Sequence, residues 1–139
     1  MISVTDVSKS YGDFLAVDRV TFSIRGGEIT GLLGPNGAGK TTTLRMLTGY
    51  LAADNGVITV GDHDINADPM AVKRMIGYLP ESAPLYPDML VYDYLRYIAS
   101  VHEIADEEAR IKDTAAMCGI TEVMHRNISE LSKGYRQRV

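Results

Sequence analysis

Gly34-Pro35-Asn36-Gly37-Ala38-Gly39-Lys40-Thr41 decides the fold of this 139-residue chain. These residues fit the pattern G-x-x-x-x-G-K-[ST]. They stand between a short apolar run, Glu28 to Leu33, and a stretch of helix formers, Lys40 to Thr48. At average composition a chance match in such a chain has a probability of about half a per cent, and the flanking patterns lower it. Glycines let the backbone curl so that successive N–H groups point inward with no Cβ in the way. A helix N-terminus adds about half a positive charge at the same place. Such a loop cradles nucleotide phosphates. Gly34, Pro35, Asn36, Gly37, Ala38 and Gly39 form the cradle, and Lys40 is the cation for the β- and γ-phosphates. Thr41 offers a hydroxyl oxygen to Mg²⁺, a hard ion that takes few protein ligands, and Thr42 adds a further contact. No Asn-Lys-x-Asp guanine reader occurs, so guanine selectivity is unsupported.

Outward from the loop, Glu28 to Leu33 reads as a strand buried on both faces, and Leu44 and Leu47 lie on one face of the following helix, which Gly49 stops. Upstream, Ile2 and Val4, then Val20, Phe22 and Ile24, alternate around the turn Tyr11-Gly12-Asp13 and predict paired antiparallel strands. Downstream, Gly56 to Gly61 suits a strand, and Asp68-Pro69 caps a short helix to about Arg74. Ile76 to Leu79 is a further strand candidate, and the prolines of Pro80 to Asp88 demand an irregular loop. Val91, Tyr94, Leu95, Ile98, Ala99 and His102 recur at helical spacing. Asp106 is expected to cap a helix carrying Ile111, Ala115 and Cys118, with Gly119 as its stop.

The composition sets bounds. With 14 Lys plus Arg against 18 Asp plus Glu the formal charge is −4, and 45% of residues are apolar and 23% charged. That is an ordinary globular balance, with no basic excess to neutralise nucleic-acid phosphates, so no nucleic acid is expected as a partner. The single cysteine, Cys118, cannot form an internal disulfide and reads as an inert core thiol. His63, His102 and His125 lack metal-ligand spacing, and Asp62 and Asp64 read as solvated turn residues. No apolar run approaches the roughly 18 residues of a spanning helix.

Near the end stands Leu131-Ser132-Lys133-Gly134-Tyr135-Arg136-Gln137-Arg138-Val139. Alone it is a helix capped by Ser132. Behind a phosphate loop it resembles the Leu-Ser-Gly-Gly-Gln signature of the ATP-binding cassette (ABC) ATPases and the Arg-Gln-Arg-Val that follows it. The resemblance extends over all 139 residues. It implies an α/β P-loop NTPase of ABC type, N-terminal portion only, in which an antiparallel β subdomain and a mostly helical subdomain accompany an incomplete core sheet. It is a single partial domain: about 1–78 is nucleotide-binding core and β subdomain, and about 79–139 is the Q-loop-like region, helical subdomain and signature.

The resemblance assigns roles. Tyr11 looks like the aromatic that stacks on adenine, and Ser132 and Gly134 would serve ATP held by a partner chain's loop. Ile76-Gly77-Tyr78-Leu79-Pro80-Glu81 leads into the Q-loop, with Glu81 where most members carry Gln; it would still reach Mg²⁺. Lys40, Glu81 and Ser132 would then act in catalysis, with ATP and Mg²⁺ as cofactors. Lys133 and Tyr135 depart from the commonest Gly and Gln. Together with Pro84-Leu85-Tyr86-Pro87-Asp88-Met89 they are similar to the gliding-motility, multidrug or ABC-2 type export branch. Five tyrosines lie between Tyr78 and Tyr97. In this family the segment of about Glu81–Tyr97 receives a transmembrane permease subunit, with Tyr86 and Met89 as the foremost contacts.

The implied protein is thus an ATP-binding subunit of an ABC transporter. It works as a dimer across loop and signature, and is cytoplasmic and peripheral on the inner face of the membrane through its permease. Alternatives are a non-transport ABC protein or a truncated nucleotide-binding regulatory module. In the family the general base and the switch histidine lie beyond the signature, as do strands flanking the phosphate-loop strand. The expectation for these residues is therefore ATP binding without turnover, marginal stability, and exposed apolar surface at Glu28 to Leu33.

Overall fold

Alternation of apolar and polar residues pairs β1 (Ile2–Tyr11) with β2 (Phe14–Ile24) as an antiparallel hairpin, from Ile2 opposite Ile24 to Tyr11 opposite Phe14. Gly12, at φ 57°, occupies the left-handed conformation that its two-residue turn requires. The computed structural model describes residues 1–80 and 84–139. β3 (Asn55–Val60) adds to the other edge of β1, and the two-residue β4 (His63–Asp64) pairs with β3. The sheet runs β2-β1-β3-β4, antiparallel throughout. β1 is irregular: its pairing with β2 shifts register three times between Val4 and Ser10, and its pairing with β3 shifts between Thr5 and Ser8. Asp6 at φ 51° and Arg19 at φ 43° absorb the bends.

The chain divides into two units, Met1–Tyr78 and Leu79–Val139, each with its own apolar core. In the first, Val4, Val7, Val17 and Ile58 from the sheet meet Met46 and Leu47 of α1 (Lys40–Leu47) and Val72 of α2 (Pro69–Met75). Asp68 caps α2 as expected, its carboxylate accepting the Ala71 N–H at 3.2 Å. α1 turns differently from its reading. Thr43, Met46 and Leu47 are buried while Leu44 is exposed, because at 3.6 residues per turn positions 43, 46 and 47 share the face that meets the sheet.

Two expected strands are absent among the described residues. Glu28 to Leu33 pairs with no strand, and Ile29 is fully exposed and Leu33 91% exposed. After β2 the chain leaves the sheet through a turn at Gly26-Gly27, where the Glu28 carboxylate accepts the Arg25 N–H at 3.1 Å. No described strand offers this run a ladder, so its apolar side chains are exposed. Ile76 to Leu79 is likewise unpaired, although Ile76 packs against the first core.

The second unit is helical: α3 (Val91–Val101), α4 (Glu107–Cys118) and α5 (Lys133–Arg138), with short 3₁₀ turns at Thr121–Val123 and Ile128–Glu130. Val91, Ala115, Ile120, Val123, Ile128 and Leu131 form its core. Gly119, at φ 61°, ends α4 as its position predicts. Asp106 does not cap α4 with its side chain. It sits at φ 53°, and only its backbone carbonyl engages the helix, through the Arg110 N–H at 3.0 Å.

Candidate functional site

The loop from Gly34 to Thr41 is closed by its own lysine. Lys40 Nζ donates to the carbonyl oxygens of Gly34 and Pro35, each at 2.7 Å, while the Ala38 N–H reaches Pro35 O at 3.2 Å. Gly37 (φ 85°) and Gly39 (φ 79°) take left-handed conformations that a side chain would oppose. Gly39 is also pressed against β2: a Cβ built on it would lie 2.4 Å from Ala16 O and 3.0 Å from Val17 Cγ2. That contact fixes the loop on the hairpin.

α1 starts at Lys40 with no side-chain cap and no acidic residue in its first turn. Its first internal bond is the Thr43 N–H to Gly39 O, at 2.8 Å, doubled by the Thr43 hydroxyl at 3.0 Å. The N–H groups of Lys40, Thr41 and Thr42 thus precede every internal acceptor of the helix. Those donors, an ammonium and the positive helix end all suit a polyanion. Thr43, buried and committed to Gly39, braces the loop, which leaves the exposed Thr41 and half-buried Thr42 to offer hydroxyls. Thr41 fits Mg²⁺ by donor type, as an exposed hard oxygen at the start of α1.

Tyr11 ends β1 and is 48% exposed. Ser10 pairs with Leu15, so this end of the hairpin lies next to Ala16, the residue against which Gly39 packs. Asp54 ties the same end down. Its carboxylate accepts from Lys9 Nζ at 2.6 Å and from the Ser10 N–H at 2.8 Å. First the Lys9 bond and then the Ser10 bond hold this carboxyl below the usual aspartate range. Neither Thr43 nor Asp54 was singled out in the sequence. Thr43 had a local signal in its position four residues after Gly39, whereas Asp54 lies 44 residues from Ser10 and had none.

The first unit thus holds Tyr11 and the phosphate loop, and the second holds Ser132 and Gly134. Ser132 caps α5, its hydroxyl oxygen accepting the Tyr135 N–H at 3.3 Å. The Tyr135 hydroxyl donates to Glu122, whose hydrogen bond and then charge push the phenol above its usual range, and Arg138 lies over the Tyr135 ring at 5.2 Å. Tyr86 is exposed and contacts Tyr94 and Tyr97, with ring centroids 6.2 and 5.9 Å apart. Burial, ahead of the neighbouring phenols, pushes the Tyr94 hydroxyl up. Met89 instead packs against the second core, so Tyr86 and Tyr97 are the more open residues of this surface. Glu81 lies outside the described residues.

Among the described residues no cluster of His, Cys, Asp or Glu could hold a metal. His63 contacts Asp68 at 3.3 Å, Cys118 packs against the second core, and Asp64 accepts the N–H groups of Asn66 and Ala67 to close a turn. No described helix is long and apolar enough to cross a membrane.

Residues 17–139 match the family described as ABC transporter. The chain is 38% identical to an uncharacterised ABC transporter ATP-binding protein, YhaQ, of Bacillus subtilis, over its whole length and 46% of that protein. It is 39% identical to the ABC transporter ATP-binding protein NatA of the same organism, over its whole length and 59% of NatA. A solved structure of an ATP-binding subunit of an ABC transporter superposes with a TM-score of 0.84 at 26% identity, covering 99% of this chain and 58% of that one. The chain therefore spans about half the length of the curated relatives it matches.

Proposed function

The chain belongs to the ABC transporter family, and on that premise we propose that it forms the nucleotide-holding portion of an ATP-binding subunit that drives transport through a separate membrane permease. The observation that carries this reading is the uncapped start of α1 behind a glycine loop that its own Lys40 spans. The Lys40 ammonium meets the β- and γ-phosphates, and the N–H groups of Gly37 and of Gly39 to Thr42 bind the oxygens around them, the Ala38 N–H being taken by Pro35 O. Mg²⁺, when bound, neutralises phosphate charge beside the Thr41 hydroxyl. Tyr11 stacks on the adenine from the exposed end of β1.

Ser132 and Gly134 present a capped helix start to the ATP of a second ATP-binding subunit, so the working unit is a dimer. Tyr86 and Tyr97 receive the permease, which brings the protein to the inner face of the membrane. The export branch is supported by the Lys133 and Tyr135 variants of the signature. Among the described residues the groups gathered at the phosphate loop are N–H donors and one ammonium, and the first turn of α1 carries no acidic residue. By resemblance to the family, ATP binding is assigned to these 139 residues by themselves and hydrolysis to the whole subunit. The test is unfolding with and without Mg·ATP. ATP at 100 times its Kd raises stability by about 2.7 kcal/mol, and Lys40→Ala abolishes the gain; no gain in the unsubstituted chain overturns the reading.

A further inference from the structure

β3 begins at Asn55, whose partner on β1 is Ser8, so the last residues of β1 have no β3 backbone to pair with on that side. Asp54 continues the ladder with a side chain. Its N–H donates to Ser8 O at 2.9 Å, and its Oδ2 then accepts the Ser10 N–H at 2.8 Å. The other oxygen takes Lys9 Nζ at 2.6 Å, with the lysine side chain only 15% exposed. The approach of the two strands is close. Gly56, at φ 86°, would place a Cβ 2.5 Å from the carbonyl oxygens of Thr5 and Asp6, so only glycine lets β3 meet β1 at its bulge. One carboxylate therefore engages two consecutive residues immediately before Tyr11, at the hairpin end that packs on the phosphate loop through Ala16 and Gly39.

We propose that Asp54 is a positioning residue for nucleotide binding: by gripping Lys9 and the Ser10 N–H it sets the end of β1 so that the Tyr11 ring stands where it stacks on the base. The assignment rests on the adenine-stacking reading of Tyr11. Asparagine cannot replace the carboxylate, because its amide has a single acceptor oxygen and would turn an NH₂ toward one of the two donors. The loop itself is held by contacts of Gly39, Lys40 and Thr43 with Ala16, Gly34, Pro35 and Gly39, in which Asp54 takes no part. Loss of the clamp therefore weakens recognition of the base and leaves recognition of the phosphates in place.

The chain contains no tryptophan, so Tyr11→Trp supplies a sole indole reporter at the stacking position. Titrations with ATP and with inorganic tripolyphosphate, on that background with and without Asp54→Asn, test the assignment. Expected are quenching of the indole by ATP, an ATP affinity about tenfold lower with Asp54→Asn, as for the loss of one base–aromatic stack, and a tripolyphosphate affinity within about twofold of its former value. Lys9→Met, which leaves the Ser10 bond and the strand pairing intact, gives a smaller loss of about threefold on ATP alone. Unchanged quenching and ATP affinity in both variants overturn the role of Asp54 and leave the stacking reading standing. Tripolyphosphate binding with no response of the indole to ATP overturns the stacking reading and the clamp's role with it. Equal losses on both ligands mean general loosening of the sheet and also overturn the assignment.

Discussion

Gly39→Ala tests the physical origin of the phosphate loop's shape. Gly39 sits at φ 79°, where an L-residue costs about 1–2 kcal/mol. Its new methyl would also lie 2.4 Å from Ala16 O and 3.0 Å from Val17 Cγ2, so a β2 backbone carbonyl must retreat by roughly 1 Å to restore ordinary contact. Overpacking against backbone costs about 1–3 kcal/mol. The sum, about 2–5 kcal/mol, is a large share of the roughly 5 kcal/mol that holds a small, marginal domain. Gly37→Ala is the internal control. Gly37 has a similar φ of 85° but nothing within 4 Å of the added Cβ, so it bears only the conformational cost of about 1–2 kcal/mol. Urea unfolding followed by circular dichroism measures both. With a slope of about 2 kcal/mol per molar, a 3 kcal/mol loss moves the midpoint of the Gly39 variant down by about 1.5 M. Equal midpoints for the two variants would refute the argument that contact with β2, beyond the glycine conformation itself, selects Gly39.

The same unfolding assay separates the faces of α1: Met46→Ala, at a fully buried position, loses about 2–5 kcal/mol, whereas Leu44→Ala on the exposed side loses less than about 1 kcal/mol. The Asp54 clamp gives a pH signature. Its folded carboxyl lies below its ordinary value, so its contribution is complete above about pH 4 and is lost as pH falls through the lowered value. Thermal melts of the unsubstituted chain and of Asp54→Asn converge as acid is added below pH 4; a gap that stays constant down to pH 2 contradicts the clamp.

Where an interaction is local, the sequence was enough to read it. The Gly12-Asp13 hairpin turn, the Asp68 and Ser132 caps and the Gly119 stop each rest on residues within about four positions of one another, and the Lys40 bonds of the phosphate loop span five and six, so φ preferences and side-chain reach are intrinsic to short stretches. Tertiary structure decided what depends on partners distant in sequence. Glu28 to Leu33 carries the composition of a buried strand, yet a strand forms only where another offers its ladder, and none does so here among the described residues. Met89 resembled a surface residue until Val91, Ile128 and their neighbours drew it inward. The reason that residue 39 must be glycine lies partly in Ala16, 23 positions away, and the end of β1 is held by Asp54 from the far side of the phosphate loop. Local conformation is encoded a few residues at a time, whereas side-chain placement at a site follows from which strands and helices come to lie together.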